Sequence, residues 1–85
     1  MASEQALRDL VEFVVRALVD DAAAVRVRTG VPAEGQGVLI ELHVAPADMG
    51  KVIGRQGRIA RALRSVVRAA AVRHGVRVVL DIKSA

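Results

Sequence analysis

The residues best suited to chemistry lie in Gly50–Arg64, which reads G-K-V-I-G-R-Q-G-R-I-A-R-A-L-R. It holds three glycines in eight residues and five basic side chains without an acid. Gly54 and Gly57, three apart, let the backbone turn sharply and leave its N–H groups unshielded by side chains. A helix starting at once after them aims its free N–H groups and positive dipole end at the same spot. Arg55 and Gln56, between the glycines, add a cation and a neutral donor. The chemistry this suits is the holding of a phosphate. No Gly-Lys-Ser/Thr follows, so the stretch is not a P-loop. G-x-G-x-x-G is absent and no strand leads in, so it is not a dinucleotide fingerprint either.

The helix that follows continues the theme. Arg58, Arg61, Arg64 and Arg68 are spaced by three and four, one charged face with no acid among them. Like charges on adjacent turns repel by a few tenths of a kcal/mol per pair, so a bound anion would relieve them. The first helix makes the contrast, because it alternates Arg8, Glu12 and Arg16 four apart as an ordinary solvated face does. Residues 1–48 carry four arginines against eight acids, a balance of −4; residues 49–85 carry nine basic residues against Asp81, a balance of +8. The sum is the net +4 of the chain. A basic half beside an acidic half points to a polyanion meeting one face.

These residues need elements to position them. Ser3 reads as an N-cap, and Leu7, Leu10, Val11, Val14, Val15 and Leu18 follow at helical spacing, predicting a helix over 4–20. From Ala24 the period drops to two, with Val25, Val27 and Thr29 on one face and Arg26 and Arg28 on the other, predicting a strand over 24–30. After a turn-rich connection, Val38, Ile40, Leu42 and Val44 alternate with Leu39, Glu41 and His43 in a strand over 37–45, paired with the first as a hairpin. Pro46 opens a short helix, 46–53. A long helix runs over 58–74 and stops at Gly75, with Ile59, Leu63, Val66, Val67 and Ala70 expected to face the sheet. Val76, Val78, Leu80 and Ile82 alternate in a last strand, 76–83. The order is α-β-β-α-α-β. One covered sheet face suffices, so the expected class is α+β, with a three-stranded mixed sheet under three helices.

Bulk composition narrows the function. The 85 residues are read as a single domain, 1–85. The one aromatic side chain is Phe13, so the core is built from Val, Leu, Ile and Ala. No apolar run is long enough to span a membrane, and the start lacks the character of a signal peptide, so a cytoplasmic location is expected. The absence of cysteine excludes disulfides, thiolate catalysis and Cys-type zinc sites. His43 falls on a strand face and His74 in a helix's last turn, while Ser3, Ser65 and Ser84 have no neighbouring base. No paired carboxylates form. The reading is therefore not an enzyme, with no cofactor and no metal.

The run Ile53-Gly54-Arg55-Gln56-Gly57-Arg58-Ile59 resembles the I-G-x-x-G-x-x-I signature of KH domains, whose G-x-x-G loop clamps about four nucleotides. Length, element order and the run from Met49 to Arg64 together resemble the KhpA family of small stand-alone bacterial KH-domain RNA-binding proteins, with the type II KH arrangement. The resemblance implies that the chain binds single-stranded RNA, dimerises with itself or pairs with a larger KhpB-like KH protein, and acts as an RNA chaperone in post-transcriptional control. It further implies a role in cell-wall homeostasis and cell-length regulation. Carried over residue by residue, Gly54, Arg55, Gln56 and Gly57 form the clamp, Lys51, Arg58, Arg61 and Arg64 flank the strand path, and Ile53, Ile59 and Val44 line an apolar floor for bases. Stacking of a base on an aromatic side chain is worth about 1–3 kcal/mol and is missing here. A single copy should therefore bind weakly and through phosphates. The alternative is a protein–protein interaction module that uses the same surface without RNA. The Arg-Gln pair between the glycines favours RNA.

Overall fold

The computed structural model describes residues 2–85. Apolar spacing of three and four makes Ala2–Leu18 a helix, α1, with Leu7, Val11 and Val15 fully buried. Ser3 lies inside its first turn and does not cap it. The helix stops at Leu18, two residues before the predicted end, because the next backbone donors find another acceptor. The N–H groups of Asp20 and Asp21 donate to the two carboxylate oxygens of Asp48 at 3.2 and 3.0 Å. A 3-10 turn over Ala22–Ala24 then uses up the local donors, with Val25 N–H bonded to Ala22 O. The first strand, β1, accordingly spans Arg26–Gly30 and not 24–30.

β1 pairs antiparallel with β2, Val38–Val44, in the register Val27 opposite Leu42. Val38, Ile40, Leu42 and Val44 are all buried, and Leu39, Glu41 and His43 between them are half-buried on the outer face. A 3-10 turn at Pro46–Asp48 leads into the short helix α2, Met49–Ile53, and the long helix α3 covers Arg58–Arg73. α3 ends in two crossed bonds, Val76 N–H to Ala71 O and Gly75 N–H to Val72 O, the hydrogen-bond pattern of a Schellman motif. Since Val76 spends its donor there, the last strand, β3, starts at Val78 and runs to Ser84, later than the predicted 76. β3 pairs parallel with β2, Ile40 opposite Leu80. The sheet order β1-β2-β3 leaves one long edge of β3 unpaired.

The helices cover one face of this mixed sheet, and the α-β-β-α-α-β architecture is the expected one. The rotation of α3 is not. Its buried side is Ala60, Leu63, Val67 and Ala71, whereas Ile59 and Val66 stay 36% and 50% exposed. Leu63, Val67 and Ala71 join the core formed with the sheet. Ile59 and Val66 instead line an apolar cleft with Val14 and Leu18 of α1. Phe13 is 77% exposed and takes no part in the core.

Candidate functional site

Met49–Ile53 and Arg58–Arg73 are joined by a bend whose first residue could be no other than glycine. Gly54 has φ 76° and ψ 172°, a combination open essentially to glycine alone. A side chain there would also collide with Ile59, whose Cγ1 lies 2.6 Å from the position of an added Cβ. Gln56 and Gly57 follow in the left-handed region, at φ 57° and 74°. A left-handed Gln costs about 1 kcal/mol. The bend is closed by two backbone bonds, Gly54 N–H to Gly50 O at 2.9 Å and Gly57 N–H to Gly54 O at 3.1 Å. No side chain caps the start of α3. Arg55, Gln56 and Arg58 are exposed around it. The loop thus offers a helix N-terminus free of side-chain caps, rimmed by two guanidiniums and one amide. That is an arrangement for an anion.

Along α3, at 100° per residue, Arg61, Arg64 and Arg68 fall within about 60° of arc, with Arg58 a further 60° round. None of Arg55, Arg58, Arg61, Arg64 and Arg68 pairs with a carboxylate among the described residues. The ion pairs gather elsewhere. Glu12 joins Arg8 at 3.0 Å and Arg16 at 3.6 Å on α1, as its spacing predicts. Arg64 and Arg68 lie beside β3, and Arg64 Nε donates to Leu80 O at 3.3 Å. Between α3 and β3 runs a cleft of about 100 Å³, walled by Arg64 and Arg68 and floored by Val67, Val78 and Leu80.

The predicted site residues divide three ways. Gly54, Arg55, Gln56, Gly57 and Arg58 gather at the bend, and Arg61 and Arg64 follow along α3, where Arg64 walls the cleft. Lys51 stands apart from them: its ammonium is ion-paired with Asp20, with Asp48 Oδ1 at 3.9 Å. The hydrogen bond that Lys51 donates to the Asp20 carboxylate, and then that residue's charge, raise the Lys51 pKa above its ordinary value. This side chain ties α2 to the end of α1. Among the three floor residues, Val44 is 0% exposed in the core and offers a base no surface. Ile53 is half-buried, and Ile59 packs over Gly54 and opens into the α1–α3 cleft. The floor beside the arginines is made by β3 instead. Sequence reasoning missed Val78, Val79 and Leu80 because a period-two strand does not declare its neighbour. The signal available was the right-handed β-α-β crossover, which sets β3 parallel to β2.

Among the described residues no group of three His, Cys, Asp or Glu side chains is placed to hold a metal, and no helix is long and apolar enough to cross a membrane.

A family model described as the KH domain of KhpA and KhpB matches residues 8–82. Several relatives carry the name RNA-binding protein KhpA. That of Aquifex aeolicus is 53% identical over 77 residues, spanning 91% of this chain and 95% of its own. That of Halalkalibacterium halodurans is 54% identical over 76 residues, 89% and 97% of the two chains. That of Clostridium perfringens is 46% identical over 76 residues, 89% and 99%. Among solved structures, Era in complex with MgGDPNP and nucleotides 1506–1542 of 16S ribosomal RNA has a TM-score of 0.61 at 16% identity. The likeness covers 92% of this chain and 29% of Era, and it shows a shared fold.

Proposed function

Because the chain belongs to the KhpA/KhpB family of KH domains, we propose that it binds single-stranded RNA, with the Gly54–Gly57 loop clamping the phosphates. The observation that carries this reading is the loop itself. Its backbone is closed to any side chain at Gly54 and left-handed at Gln56 and Gly57, and it opens directly onto a row of arginines without a carboxylate partner among the described residues. One phosphate sits on the loop and the start of α3, between Arg55 and Arg58. The strand then passes Arg61 and Arg64 along the cleft, and its bases turn toward the unpaired edge of β3. The relatives' name, RNA-binding protein KhpA, supports the same ligand.

Without aromatic platforms, affinity rests on charge, and a single copy binds weakly. Two linked copies gain from effective concentration, so the working form we propose is a pair, either of this chain with itself or with a larger KhpB-like KH protein. In that pair the chain holds RNA transiently as a chaperone does, with the post-transcriptional role that the family resemblance implies. Affinity measured against salt tests the charge-based mode. Four neutralised phosphates predict a slope of log K on log[salt] near −0.7 × 4, about −3. Affinity that does not change between about 50 and 200 mM salt would contradict it.

A further inference from the structure

The sheet has a second free edge, on β1, away from the arginines of α3. The backbone bonds show which of its groups turn outward. Val38 N–H donates to Arg77 O and Ala85 N–H to Val44 O, so the even-numbered residues of β2 turn their backbone groups toward β3. Its odd-numbered residues, Leu39, Glu41 and His43, therefore bond to Gly30, Arg28 and Arg26 opposite them. That leaves the N–H and C=O groups of Val27 and Thr29 on the free edge. Arginine guards the start of this edge: Arg8 Nε donates to Val27 O at 3.2 Å, and Arg26 Nη1 to Val25 O at 3.0 Å. The guard stops there. Thr29 and Val31 are exposed, the apolar Val31 to 67%, and their outward groups have no partner among the described residues. Val31 precedes Pro32, which holds it extended and prolongs the edge one residue beyond β1.

We propose that this open segment pairs with itself: β1 of a second copy adds to it antiparallel, about a two-fold axis at Gly30. The proposal names a contact for the self-pair put forward above and rests on that reading. In this register Thr29 and Val31 of the second copy exchange N–H···O bonds, and symmetry repeats the exchange. Every unguarded group of the edge then has a partner, and Val27 O is not needed. The two side chains in each such pair are β-branched and meet on the face that carries the helices. Gly30 stands opposite its own copy at the position of closest approach, with Cα atoms about 4.5 Å apart. Arg28 stands opposite Pro32, so no like charges meet. The N–H that Pro32 lacks would turn toward β2, where the new pairing has no use for it. Other registers are worse. An axis at Thr29 calls on the guarded Val27 O, and one at Arg28 sets that arginine against itself. The product is a six-stranded sheet with the two β3 strands outermost, about 24 Å apart, so each copy keeps its loop and arginines free for RNA.

The chain has no cysteine, so single cysteines placed in it report the register without background. Gly30→Cys should give a disulfide-linked dimer under mild oxidation, because the paired Cα atoms lie within the span of a disulfide. Its side chain has room, since the nearest atom to an added Cβ is Leu39 Cδ2 at 4.0 Å. Arg28→Cys should not crosslink, because its Cα atoms stand about 14 Å apart in the same register. Thr29→Pro removes an outward N–H that no bond within the chain uses. It should sediment as a monomer at concentrations where wild type is a dimer, with its circular dichroism retained. A wild-type dimer in which Gly30→Cys does not crosslink overturns the edge and leaves the self-pair to another surface. Crosslinking of Arg28→Cys as readily as Gly30→Cys also overturns it, as does a folded Thr29→Pro that remains dimeric. The cysteine result stands whether or not the proline variant folds. Wild type that is monomeric at every concentration would overturn the self-pair itself, and the edge contact with it.

Discussion

Gly54 and Ile59 are packed so closely that a methyl group on the glycine would meet the isoleucine Cγ1 at 2.6 Å. This contact, together with a φ of 76° and ψ of 172°, means that the loop geometry and the first turn of α3 set each other. Gly57, three residues on, has a left-handed φ of 74° but open space around it. The two glycines of one motif are therefore required for different reasons.

Substitution separates them. Gly54→Ala adds steric overlap to a backbone conformation closed to alanine and should destabilise the protein by about 3 kcal/mol. Gly57→Ala pays only for a left-handed alanine, about 1 kcal/mol. Urea denaturation of both variants checks the order. Equal losses would mean that the contact with Ile59 relaxes freely.

Asp48 is 2% exposed, and its two oxygens receive the backbone N–H groups of Asp20 and Asp21. Asp48→Asn keeps the shape but turns one acceptor into a donor, leaving a buried N–H opposed. The expected loss is about 1–3 kcal/mol, read by the urea midpoint at constant m-value. An unchanged midpoint would show that the end of α1 is held by other contacts.

Lys51 and Arg61 were alike as candidates in the sequence, and the structure parts them. Lys51 already has Asp20 and Asp48 for counter-charges, whereas Arg61 has none among the described residues. Arg61→Gln should weaken RNA binding and reduce the magnitude of the salt slope by about 0.7. Lys51→Gln should leave the slope unchanged. Equal effects would mean that RNA draws Lys51 away from Asp20.

Most of the fold was legible because its signals are local. The change of apolar period from helical to alternating marked each element, and Gly75 marked the end of α3. The missed boundaries at Leu18, Arg26 and Val78 share one cause. In each place a donor expected to continue an element is taken by a partner that the local pattern does not reveal: the Asp48 carboxylate, the turn over residues 22–24, and Ala71 O. The rotation of α3 was misjudged because residue size weighed too heavily. Ala60 and Ala71 are buried, whereas Val66 is half out and lines the cleft against α1. Within the site, the glycines and arginines could be named from spacing. The pairing of Lys51 with Asp20, 31 residues away in sequence, and the facing of Arg64 and Leu80 depend on tertiary structure.

The central claim is that Gly54–Gly57 clamps RNA phosphate, and replacing Arg55 and Gln56 together with Asp tests it most directly. Both side chains are exposed, and aspartate suits the left-handed backbone at 56 better than most residues, so the fold should change by no more than about 0.5 kcal/mol per site. One cation is lost and two anions appear where a helix N-terminus favours a negative ligand. Titration of a single-stranded RNA, with thermal melting in the same buffer, should give at least a tenfold loss of affinity, about 1.4 kcal/mol, at an unchanged melting temperature. Wild-type affinity in a folded double variant would contradict the clamp and reduce Gly54–Gly57 to a turn between two helices.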